Sequence, residues 1–72
     1  MNSEIPPVGA YAVDTRTNRI GRVMDAGGPY VQLRPPTGGY EWDVPPEAVR
    51  AAGTLEELRA RVRERNWHSG LP

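Results

Sequence analysis

Turn-forming clusters interrupt this chain roughly every eight to twelve residues between Val8 and Val44, a spacing that suits short strands and leaves no room for a long helix. The connectors are residues 15–18, 26–29 and 35–39, rich in Asn, Gly, Pro and Thr, each a residue with a specific turn-forming reason. They predict strands over residues 9–14, 19–25, 30–34 and 40–44. Gly27 and Gly28 serve a tight connection, and Pro35, Pro36, Gly38 and Gly39 set the next hairpin without any need of a ligand.

Period-two patterning predicts a core face made of Tyr11 and Val13, then Val31 and Leu33, then Tyr40, Trp42 and Val44. Gln32, Arg34, Glu41 and Asp43 fall on the other side, where opposite charges would meet across strands. Ile20 and Val23 differ in parity, so Gly21 is expected to be a bulge or a close-approach site that lets both face inward. The run Pro45-Pro46-Glu47-Ala48-Val49 predicts a short 3₁₀ or α turn that plugs the domain with Val49. After the break at Gly53, Thr54 and Glu57 read as a capping box opening a helix over residues 54–68. Its apolar stripe, Leu55, Leu58 and Val62, is expected to dock on the strands, because so short a helix needs tertiary packing to persist. Residues 1–7 read as a flexible arm and 69–72 as a tail.

Composition narrows the function. The 72 residues include 8 Gly and 8 Pro, too few for a low-complexity chain, and 38% are hydrophobic, enough for a small core. Cysteine is absent, all nine basic residues are Arg, and nine acids bring the formal charge to zero. Zero charge argues against a mainly electrostatic binder of nucleic acid or membranes. With no apolar run long enough to span a bilayer and no signal-peptide pattern, the expected location is cytoplasmic; the Arg-for-Lys usage suggests a GC-rich bacterial genome.

No converging nucleophile, base or metal-ligand set is visible: the one histidine is His68 and the serines are Ser3 and Ser69. Asp14 reads as a turn residue, and Glu56 and Glu57 as helix-dipole partners. The expectation is therefore a protein that is no enzyme and holds no cofactor or metal. The better candidate is the stripe of Arg59, Arg63 and Trp67 at i, i+4 and i+8, able to grip an acidic protein surface. A second candidate is a nucleic-acid face of Arg16, Arg19, Arg22, Tyr30 and Arg34, whose cations could follow a phosphate backbone. Self-association is left open.

The run Val13-Asp14-Thr15-Arg16-Thr17-Asn18-Arg19-Ile20-Gly21-Arg22-Val23, with the later Val44-Pro45-Pro46-Glu47-Ala48-Val49, resembles PRC-barrel domains and related small SH3-like barrels. Those domains carry a "V-D … G-x-V" hairpin and a proline-led short helix near the close of the barrel. The likeness covers about half the chain and extends to small actinobacterial proteins; the Pro35-Pro36 hairpin and the Arg-rich helix depart from it. It implies a mostly β fold, an SH3-like barrel of four to five antiparallel strands with a C-terminal helix. It also implies a non-enzymatic module that binds another protein or, in some members, ribosomal components, and it carries no catalytic or ligand residue onto this chain.

Overall fold

The computed structural model describes residues 5–69; the outer parts of the expected arm and tail, residues 1–4 and 70–72, lie outside them. Five antiparallel strands form one sheet: β1 (Tyr11–Asp14), β2 (Arg19–Asp25), β3 (Val31–Arg34), β4 (Trp42–Val44) and β5 (Val49–Ala51), in the order β4-β3-β2-β1-β5. A 3₁₀ turn, Pro46–Ala48, precedes β5, and the helix α1 spans Thr54–Ser69. No helix among the described residues is long and apolar enough to cross a membrane.

Strand positions follow the turn chemistry closely, whereas the faces do not follow the expected alternation. Cross-strand partners share a face, and Ala12 pairs with Gly21, Tyr11 with Arg22 and Val13 with Ile20. Ala12 and Val23 therefore point into the main core with Val31, Leu33, Val44 and Ala48, while Trp42, Val49, Ile5 and Ala26 pack around it. Tyr11 and Val13 point to the opposite face of the sheet, beneath α1. All four residues of β1 are buried because this strand is covered on both sides, so it shows no polar face from which alternation could be read. Tyr40, expected inward, precedes β4 and is 95% exposed.

The register irregularity lies between Val23 and Asp25, at Met24, and not at Gly21. Ile20 and Val23 face opposite sides, so no bulge is needed between them. Gly21 is nonetheless a close-approach site: a Cβ there would lie 2.9 Å from both the Arg34 carbonyl oxygen and the Trp42 ring edge. Trp42 can cross the sheet at this point because Gly21 carries no side chain.

The helix also sits differently from expectation. The Gly53 carbonyl accepts the first helical bond, from the Glu57 N–H at 2.8 Å, and the Gly53 N–H donates to Glu56 Oε1 at 2.8 Å. Gly53 is thus the N-cap, and Glu56 at N3, rather than Glu57, reaches back; Thr54 is the first helical residue. The face turned to the sheet carries Ala60, fully buried, with Glu56, Glu57 and Glu64 half-buried around it. Leu55, Leu58 and Val62 lie on the far side, 57%, 57% and 53% exposed. A small residue at 60 lets the helix come close over β2, and what it meets there are the polar tips of Tyr11 and Arg22, which demand a polar partner. At the far end of the helix the Trp67 indole lies against Gly38, a positive-φ residue (82°), so near that a Cβ there would stand 2.6 Å from Nε1.

Two expectations about stability follow. In urea unfolding Leu58→Ala should change stability by less than about 0.5 kcal/mol, as at ordinary surface sites, whereas Ala60→Leu should cost about 1–3 kcal/mol by overpacking. Gly21→Val should cost about 3 kcal/mol, because backbone on one side and the Trp42 ring on the other leave its methyl groups no space; a midpoint unchanged from the parent protein would show that this crossing is loose.

Candidate partner-binding site

Two ionic clusters hold the site's framework, and both engage residues expected at the surface. The first is centred on Asp14, at the end of β1, whose side chain is 1% exposed. Its carboxylate accepts the Arg16 N–H (3.0 Å), Arg16 Nε and Nη2 (3.1 Å each) and the Trp42 indole N–H (2.9 Å). Its carbonyl accepts from Thr17 and Asn18, closing the hairpin turn in which Asn18 takes a positive φ of 64°. Arg16, despite burial of its partner, holds the Asp14 carboxyl down to about 2, with the Trp42 indole assisting. On the other side of the Trp42 ring lies the Arg19 guanidinium, 3.8 Å from the ring centroid.

The second cluster fixes α1. Glu64 accepts hydrogen bonds from the Tyr11 hydroxyl and from Arg22 Nη2 (2.7 Å), and Arg22 also donates to the Tyr11 oxygen (2.9 Å). Burial alone would raise the Glu64 carboxyl, but the Tyr11 and Arg22 bonds outweigh it and keep it below the usual range. Burial and the bond to Glu64 raise the Tyr11 phenol. Near the start of the helix Glu56 binds Arg50 of β5 with both oxygens (2.9 and 2.8 Å), which with the Gly53 N–H holds its carboxyl at about 2. Glu57 pairs with Arg61 at 2.6 Å, one turn on.

These bonds sort the arginines. Arg16, Arg22, Arg50 and Arg61 are in ion pairs; among the described residues Arg19, Arg34, Arg59, Arg63 and Arg65 are in none. The nucleic-acid face expected from the sequence is accordingly dispersed: Arg16 serves Asp14, Arg22 serves Glu64 and Arg19 covers Trp42. Tyr30 (52% exposed) and Arg34 remain available, and Arg34 pairs with neither Glu41 nor Asp43; Asp43 instead accepts from Gln32 at 3.3 Å.

The helix stripe fares differently. Arg59 and Arg63 border a cleft along one flank of α1. Its wider part, about 310 Å³, lies between Arg63 and the hairpin tips, with Asn18, Arg19, Ile20, Pro35 and Pro36 as walls. A narrower part, about 160 Å³, continues past Arg59 toward Glu56, and Asn18, Ile20 and Arg63 line both. Asn18 and Ile20 of the first hairpin thus meet Arg59 and Arg63 of the helix, a convergence of two elements that spacing along the chain cannot display, while the Arg19 guanidinium stays over Trp42. A larger cleft, about 500 Å³, opens on the other flank between residues 5–7, Tyr11 and the helix, but its charged groups, Glu57 and Arg61, already satisfy one another. Among the described residues no three His, Cys, Asp or Glu side chains gather closely enough to hold a metal ion.

No family model, curated protein or solved structure matches the chain.

Asp14, read from the sequence as a turn residue, spends its carboxylate on Arg16 and Trp42, which makes it an anchor. Its lowered titration stabilises the fold above about pH 4, and that contribution, on the order of 2 kcal/mol, fades as pH falls through about 2. Asp14→Asn should therefore destabilise by about 2–4 kcal/mol at pH 7, and the gap to the parent protein should narrow steadily between pH 4 and pH 2 in urea titrations. A gap independent of pH would assign the loss to packing instead of charge.

Proposed function

We propose that this protein is a small, non-enzymatic interaction module that binds an acidic protein surface through α1 and its junction with the sheet. The observation that carries the reading is the sorting of charge around the helix. Its three acids, Glu56, Glu57 and Glu64, are spent on Arg50, Arg61 and Arg22, while Arg59, Arg63 and Arg65 have no ion partner among the described residues. A chain neutral overall thereby offers a cationic helix surface. Such a surface steers and selects acidic partners more than it adds stability. Trp67, 59% exposed beside Gly38, adds an aromatic ring of the kind that anchors interfaces.

As to fold type, we infer an SH3-like, PRC-barrel-like closure. The sheet order β4-β3-β2-β1-β5, the irregularity at Met24 that bends β2 and the 3₁₀ turn leading into β5 support that reading. A cytoplasmic setting suits a chain without cysteine.

Arg59→Glu combined with Arg63→Glu should abolish capture of acidic partners by the immobilised protein while the circular dichroism spectrum stays that of the folded parent, since exposed charges contribute little to stability. Capture that survives this double change but disappears on nuclease treatment, or on Arg34→Glu, would overturn the reading in favour of nucleic acid.

A further inference from the structure

The cleft beside α1 has a more specific chemistry than a cationic surface in general. Two arginines without ion partners, Arg59 and Arg63, line it from the helix, and Arg19 borders it at the hairpin with its guanidinium laid over Trp42. The one acid at its edge, Glu56, is neutralised by Arg50 and by the Gly53 N–H. Beside the cations the walls are mixed, with the apolar Ile20 and Pro35 half-buried, Val13 and Pro36 buried, and the polar Asn18 and Thr37 between them.

Size and lining decide between ligands. A cleft of about 310 Å³ with a narrower extension of about 160 Å³ accommodates side chains of an extended segment laid along it, one after another. No aromatic ring lines either part: Trp42 is covered by Arg19, and Trp67 lies against Gly38 beyond the cleft. A single nucleic-acid strand, which gains much of its affinity by stacking bases on rings, would find phosphate contacts here and no platform.

We propose that this cleft binds an extended acidic peptide segment, seating one apolar side chain on Ile20, Pro35 and Pro36 while flanking carboxylates pair with Arg63 and Arg59. The proposal rests on the acidic-partner reading above and gives it a place and a motif, an apolar residue between acids.

The test is a titration of the full-length ¹⁵N-labelled protein, followed by NMR, with a blocked synthetic peptide in which a leucine is flanked on each side by a glutamate and an aspartate. Amide shifts should concentrate at Asn18, Ile20, Thr37 and Arg63. The same peptide with glutamine and asparagine in place of the acids should bind about tenfold more weakly or worse, as should the acidic peptide to an Arg63→Ala variant whose spectrum is otherwise that of the parent. If the acidic peptide binds but moves Leu55, Leu58 and Val62 on the outer face, the cleft is wrong and the acidic-partner reading stands. Absence of any shift at millimolar peptide overturns the cleft, again leaving the wider reading to the capture experiment. Shifts produced by oligothymidylate and not by the peptide would overturn both.

Discussion

A carboxylate almost wholly removed from water stands at the end of β1, and the rest of the molecule is arranged around keeping it satisfied. Asp14 takes the Arg16 guanidinium and the Trp42 indole on its side chain and the turn amides of Thr17 and Asn18 on its carbonyl. Arg16 extends the connection to the Asp43 carbonyl (3.2 Å), and Thr15 ties the same turn to Ala48 through both its N–H and its hydroxyl. Asp14 and its neighbours Thr15 and Arg16 thus join the first hairpin, β4 and the 3₁₀ turn. Removing a partner would strand a buried charge, an outcome far more costly than never having placed one there.

What the sequence discloses about this fold is its punctuation. Gly, Pro and Asn at the connectors mark strand ends to within two residues, and the helix follows its expected span because Gly53 and the charged first turn define its start. The faces are less legible. β1 lies between a core and a helix, so Ala12 and Asp14 are as buried as Tyr11 and Val13, and parity along four residues cannot say which side is which. β5 is too short and too polar, as Val49-Arg50-Ala51, to announce itself, and is a strand because Ala12, Val13 and Asp14 give it an edge to join.

The candidate site divides the same way. The Arg59 and Arg63 row is visible at helical spacing, whereas the contribution of Asn18 and Ile20 depends on a hairpin tip folding toward the helix. The sequence also suggests the wrong helix face. Leucine and valine at helical spacing ordinarily mark the buried side, but here the sheet beneath the helix presents a phenol and a guanidinium, and Glu64 is the side chain that can meet both. Docking by glutamate turns the leucines outward and sets the cations on the rim of the cleft.

That mode of docking gives the helix a thermodynamic character of its own. A helix seated by leucines would expose much apolar surface on release and would contribute strongly to the heat capacity of unfolding. α1 is seated by ion pairs and one alanine, so the apolar surface uncovered by its detachment belongs to the sheet, to Tyr11 and Val13, and hardly at all to the helix itself. Its ion pairs are weakened by ionic strength, while the valine and leucine core on the other face of the sheet responds in the opposite sense, gaining from excluded salts. The two faces of one thin sheet therefore answer to different solvent variables.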